Sequence, residues 1–288
     1  MALPRWADLK AAYRLLSCPE VSHEKLISPH CHDVRERCMD GGTYVLIEDT
    51  TDLDFTGRQV GEKMGWTGDG GGRGIYLHTT LAGRPCRWQP TGEMDMEIVG
   101  LLGQRWWVRR HEPRKGRESR SKRLQRQRES QRRAGIFQQV QPAGTAQWIY
   151  VADRDSDVYE ALLRCRRAGV DFVVRANQNR ALEGQQGHIF ESVAEQQSLG
   201  QFTKRLRARP GVAARTVTLE VRADRVALRP PYRPEEQLEP LGVHVVQVRQ
   251  VGGGTAGGVL CWVLLSSLPC GSLREARSIV SLYEHRWL

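Results

Sequence analysis

The sequence predicts an α/β protein on a mixed sheet: three antiparallel strands, then a strand–helix–strand unit, with a helical N-terminal segment and an antiparallel β insertion. Three observations carry that prediction. The β-branched, apolar run Thr43-Tyr-Val-Leu-Ile-Glu-Asp49 is followed, across glycine-laden polar turns, by strand-like runs at 74–82 and 99–108. Strand-like segments at 147–153 and 171–176 bracket a helix-length stretch that stops at Gly169, the length of a parallel crossover. From Gly184 to Gly258 the pattern changes to alternation, at 216–222 and 243–249, with Pro- and Gly-rich turns between.

Taken in order, residues 1–40 read as a helical remnant, with Trp6, Leu9, Ala12, Tyr13 and Leu16 at helical spacing. The first strand closes on Asp49, residues 57–72 form a polar turn, and the next two strands continue an antiparallel meander. The fourth strand closes on Asp153. Ser156 can cap the helix that follows, whose inner face carries Val158, Leu162 and Cys165. The alternating segment reads as a β insertion standing off the main sheet. Strand 259–266 then leads to a helix that opens on the capping box Ser272-Leu-Arg-Glu275. Leu273, Ala276, Ile279, Val280 and Tyr283 line its inner face, and no stop signal precedes Trp287-Leu288, as in a chain cut short. The expected divisions are a helical N-terminal remnant (1–40), a first core part (41–183), the insertion (184–258) and the core end (259–288).

Composition bounds the partners. No run approaches the ~18 apolar residues of a membrane span, and the N-terminus lacks a signal-peptide core. The seven cysteines are an odd number without a regular frame, which suits reduced thiols in a cytoplasm. The net charge of +10 suits a polyanion, since phosphate neutralisation releases counterions. Between Arg114 and Arg133 stand ten basic residues, Lys122, Arg123 and Arg126 among them, against two acidic ones. That segment holds +8 of the +10, as a solvated basic stretch or as a surface along a nucleic-acid backbone.

Two acids stand where a sheet presents reactive groups. If the first and fourth strands are neighbours, Asp49 and Asp153 meet at one edge, and divalent ions relieve their repulsion while organising phosphodiester chemistry. Each alone reads equally as a strand-end turn former or cap. The run Asp153-Arg-Asp-Ser-Asp157 fails as a calcium loop, having Val158 and Arg164 at the positions that require Gly and Glu. It fits an aspartyl-phosphate hydrolase locally, but Lys204 is the only lysine downstream. His23, His30, Cys31, His32 and Cys38 lack zinc-ligand spacing, and neither glycine cluster (68–74, 252–258) ends in Gly-Lys-Ser/Thr.

Six segments occur together in register: Ile47-Glu-Asp49-Thr-Thr51, Gly100-Leu-Leu-Gly-Gln-Arg-Trp-Trp107, Val151-Ala-Asp153-Arg-Asp-Ser-Asp157, Phe172-Val-Val-Arg175, Trp262-Val-Leu-Leu-Ser-Ser-Leu-Pro269 and Tyr283-Glu-His-Arg286-Trp287. Together they resemble the DDE transposases of the insertion-sequence-four family, from about Ala11 onward. The resemblance implies a ribonuclease-H-like core, two Mg²⁺ or Mn²⁺ ions, and Asp49 and Asp153 as the first two metal ligands. It implies as partners double-stranded DNA, at transposon ends and target, and a homodimer on paired ends, in a bacterial cytoplasm beside the nucleoid. Arg175, Arg180, Tyr283 and Arg286 would contact end phosphates, although an arginine pair reads equally as surface salt bridges. Trp262 would stack a flipped base, or else serve as a core tryptophan of an apolar strand.

The family's third carboxylate would fall four residues after Arg286, beyond Leu288. Glu284 cannot replace it, lying about 240° away around a helix of 3.6 residues per turn. Three functions follow as expectations: a metal-dependent transposase domain, incomplete in this chain; a non-catalytic DNA-binding remnant; and an aspartyl-phosphate hydrolase.

Overall fold

Thr43–Asp54 (β1) is the spine of the sheet because its residues are buried on both faces through Glu48 and on neither continuously after it. In the computed structural model, which describes residues 5–39, 41–59, 64–68, 71–109, 144–208, 210–233, 236–252 and 259–287, the pairing explains that switch. Val45–Ile47 is flanked by two strands, antiparallel to Gly72–Cys86 (β3) and parallel to Gln147–Ala152 (β5), whereas residues beyond Ile47 pair with β3 alone. β1 therefore runs to Asp54 and does not end at the predicted Asp49, because β3 is long enough to pair with it as far as Gly74. Gly74 is required there: a Cβ would stand 2.0 Å from the Leu53 carbonyl oxygen.

Trp6–Leu16 (α1) and His23–Arg37 (α2) precede the sheet; α2 is capped by Ser22, whose Oγ accepts from Lys25 N. Gly65–Thr67 (β2), inside the segment read as a turn, pairs with β3, and so does Asp95–Trp107 (β4). After β5 the chain turns through a 3-10 segment, Arg154–Ser156, into Tyr159–Arg167 (α3), then Asp171–Arg175 (β6), parallel to β5. Asp153, and not Ser156, does the capping: its Oδ1 accepts from Asp155 N, while α3 begins after Val158 without a side-chain cap. Gly169, at φ +69°, ends α3 with Val170 N donating to Cys165 O and Gly169 N to Arg166 O, a Schellman closure.

Ile189–Ala194 (α4), Ser198–Leu206 (β7), Arg215–Leu228 (β8) and Leu241–Gln250 (β9) follow, then Cys261–Ser266 (β10) and Leu273–Glu284 (α5). The described strands form a ten-stranded sheet in the order β2-β3-β1-β5-β6-β10-β9-β8-β7, with β4 against β3. The insertion thus does not stand off the sheet, because β10 pairs antiparallel with β6 on one side and β9 on the other. One face is covered by α2, α3 and α4 over Leu46, Tyr150, Phe172 and Val245. The other holds α5 over Ile47, Val151, Val173, Leu219 and Val248, and α5 touches β5, β6, β7 and β8, so the sheet wraps around it. None of the described helices is long and apolar enough to cross a membrane.

Candidate active site at the strand ends

β1 and β5 are in register from Thr43↔Gln147 to Ile47↔Val151, and two residues beyond the last pair stand Asp49 and Asp153. β5 and β6 are in register from Ile149↔Asp171 to Ala152↔Val174, so the next pair is Asp153 and Arg175. Side chains alternate along strands, and Ile47, Val151 and Val173 face α5. Continued past the last paired residues, that alternation and register bring Asp49 of β1, Asp153 just after β5 and Arg175 of β6 level with one another on that face. Asp153 keeps an extended backbone (φ −81°, ψ −175°), so the alternation carries through it.

α5 and the turn after it carry two more of the predicted residues, Tyr283 and Arg286. The capping box of α5 forms as Glu275 N donating to Ser272 Oγ at 3.3 Å, while the Glu275 carboxylate accepts from Gly271 N and the Ser272 hydroxyl. Those bonds hold the Glu275 carboxyl below its ordinary range, the Gly271 amide being the largest cause. At the other end Tyr283 is buried and meets Trp262 edge-on, ring centres 5.4 Å apart. Trp262 is partly buried against the α5-side core. The helix then passes into a 3-10 turn, His285–Trp287, which aims Arg286 at β1.

Arg286 Nη1 donates to Asp49 Oδ1 at 2.9 Å, with the arginine side chain 5% exposed and the aspartate 53%. The guanidinium lies 3.9 Å from the Trp287 ring centre, a cation–π distance. Its buried Nε has no hydrogen-bond partner among the described residues. Among the described residues, no three His, Cys, Asp or Glu side chains cluster as a metal site.

Arg180 is placed elsewhere. Its Nε and Nη2 both donate to the Asp157 carboxylate, which is fully buried and also accepts from Asn177 N and Gln178 N. Its guanidinium is thereby committed to Asp157. Lys122, Arg123 and Arg126 lie outside the described residues. Lys204, the lysine considered for phosphate hydrolysis, is paired with Glu284. His23 and His30 bond to β4, through the Gln104 side chain and the Leu101 amide.

Sequence reasoning missed a buried polar cluster on the opposite face of β1. Glu48 is 2% exposed and accepts from Tyr150 Oη at 2.7 Å and Thr80 Oγ1 at 3.2 Å. His78 Nε2 lies 3.3 Å from its carboxylate, and His78 Nδ1 pairs with Thr50 Oγ1 at 2.8 Å. Burial, and then the neighbouring Glu48 charge, push the Tyr150 hydroxyl well above its ordinary value. The available signal was an acid inside an otherwise apolar strand run.

No family model matches the chain. Among solved structures the chain is similar to the one titled "Cryo-EM structure of piggyBac transposase synaptic complex with hairpin DNA". Identity is 11%, the TM-score is 0.38, and the match covers 90% of this chain. The chain spans 42% of the length of that neighbour.

Proposed function

We propose that this chain is a catalytic portion of a metal-dependent DNA transposase, with a ribonuclease-H-like core and a strand-end acid pair similar to that of the insertion-sequence-four family. One observation carries the reading: the parallel register of β1 and β5, continued two residues past its last pair, brings Asp49 and Asp153 level, and Arg286 donates to Asp49. The strand order supports it too, with β4, β3 and β1 antiparallel and β1, β5 and β6 parallel.

The acid pair fits a hard divalent cation, since carboxylate oxygens are the donors such ions take, and Mg²⁺ is commonly held by one or two carboxylates with water and substrate phosphate completing its shell. A cationic group, the Arg286 guanidinium, already sits on Asp49. In this reading Asp49 and Asp153 hold Mg²⁺ or Mn²⁺. When bound, the ions supply an acidified water and neutralise charge that develops on a phosphodiester. Arg286 and Arg175 hold and orient the phosphate at the sheet edge, because a guanidinium fork matches phosphate geometry. Tyr283 fixes the Trp262 ring from its side, and that ring is the platform for a base turned out of the duplex. Double-stranded DNA is the substrate, and the basic segment adds affinity independent of sequence.

A plasmid-nicking assay with Mn²⁺ tests this. Wild-type protein relaxes supercoiled plasmid carrying transposon ends, and Asp49→Asn and Asp153→Asn each abolish relaxation. Wild-type protein that shifts duplex DNA in a gel but shows no Asp49-dependent cleavage is a binding remnant. Phosphatase activity lost with Asp153→Asn and kept with Asp49→Asn would indicate the hydrolase, against which the Lys204–Glu284 pair already counts.

A further inference from the structure

We infer that Arg286 is a displaceable counter-cation at Asp49, so that phosphodiester capture by the arginine and divalent-cation binding by the aspartate are coupled, each promoting the other. The inference rests on the functional reading above and adds regulation to that site.

Three observations carry it. First, the contact is direct, Nη1 to Oδ1 at 2.9 Å, so the guanidinium fills space that a cation at that oxygen needs. Second, the burial is lopsided, the arginine at 5% and the aspartate at 53% exposure. The protein thus carries the cation to a carboxylate that solvent still reaches. Third, the buried Nε of Arg286 has no partner among the described residues, which leave a donor of this side chain unused. A phosphate uses a guanidinium through paired donors, as a single aspartate oxygen on one nitrogen does not.

Two positive charges compete for Asp49 when no phosphate is present, and the tethered one is always at hand. A phosphodiester changes the balance in two ways. It draws the guanidinium off Asp49, and its own negative charge remains beside the freed carboxylate. Both effects favour a divalent cation. Linkage makes the coupling reciprocal: a bound cation raises phosphodiester affinity by the same factor.

The test is Mn²⁺ binding, followed by the electron paramagnetic resonance signal of free Mn²⁺, on the full chain with and without dimethyl phosphate. Arg286→Gln binds Mn²⁺ about tenfold more tightly than wild type without the diester, within the usual range of coupling factors. Dimethyl phosphate tightens Mn²⁺ on wild type by a larger factor than on Arg286→Gln, where only Arg175 is left to hold it. Asp49→Asn removes the gain when combined with Arg286→Gln. Arg286→Met, which keeps the volume of the buried stem, repeats the comparison if the glutamine variant misfolds. A merely structural arginine gives the opposite sign, since its loss loosens the site and weakens Mn²⁺. Equal or weaker binding by both Arg286 variants, with Asp49-dependent binding in wild type, overturns the coupling and leaves the metal site standing. Absence of Asp49-dependent binding in every variant overturns both.

Discussion

Asp157 shows how much one residue's environment decides. Its carboxylate is fully buried, and Arg180, 10% exposed, supplies the charge that makes burial tolerable. Two backbone amides at 2.8 and 3.0 Å complete its shell. Removing one member of such a pair leaves an uncompensated charge, at a cost of about 3–5 kcal/mol. Asp157→Asn and Arg180→Ala are therefore each expected to lower the urea midpoint by that equivalent with the slope unchanged. A loss under about 1 kcal/mol would mean that water reaches the pair, as at an exposed ion pair. Neither role was legible beforehand. In the run Asp153-Arg-Asp-Ser-Asp157 three acids look alike, and only the turn after β5 decides which caps, which faces solvent and which is buried. That Asp49 and Asp153 follow buried apolar runs was legible, but that β1 continues past Asp49 to Asp54 was not, because it depends on the length of β3.

At the scale of the element, α5 was the most readable segment and carries a pH signature. Ser272 and Glu275 were visible as a capping box, and the helix forms there with its apolar stripe on the core. The Glu275 carboxyl is held below its ordinary value, chiefly by the Gly271 amide and then by the Ser272 hydroxyl. Its folded value is thus lower than its unfolded one. The stabilisation is complete above the unfolded value and drains away as pH falls through the folded one. Thermal melts from pH 6 down to pH 3 are expected to show a steeper acid loss for wild type than for Glu275→Gln, the two curves converging at the acid end. Parallel curves would mean that the cap is broken in solution. The start of α3 was less readable, since Ser156 and Asp153 are both competent caps by composition. The 3-10 turn between them, in which the Asp153 carboxylate accepts from Asp155 N, is set by how β5 leaves the sheet.

At the scale of the whole molecule the structure departs from the sequence reading in the continuity of the sheet. Alternation, turns and a change of composition identified β8 and β9 as strands but carried no information on their partners, which are set by β10. That strand arrives late in the chain and slots between β6 and β9. Three ties then bind the insertion to the rest. The ladder is unbroken from β5 through β6, β10 and β9 to β8. The core under α5 runs without interruption from Val45 and Ile47 to Val217 and Leu219. At the far edge Arg277 of α5 stacks on Phe202 of β7 at 4.9 Å, and Glu284 pairs with Lys204. A separately folded insertion would open at lower free energy than the core, as independent cooperative units do. Hydrogen exchange at increasing denaturant distinguishes the cases. Peptides covering Leu241–Gln250 are expected to exchange with the same opening free energy and denaturant dependence as those covering Gln147–Ala152. Earlier opening of β8 and β9, with β5 still protected, would show that β10 fails to transmit cooperativity. The site would then rest on β1, β5, β6 and α5 without the support of the outer strands.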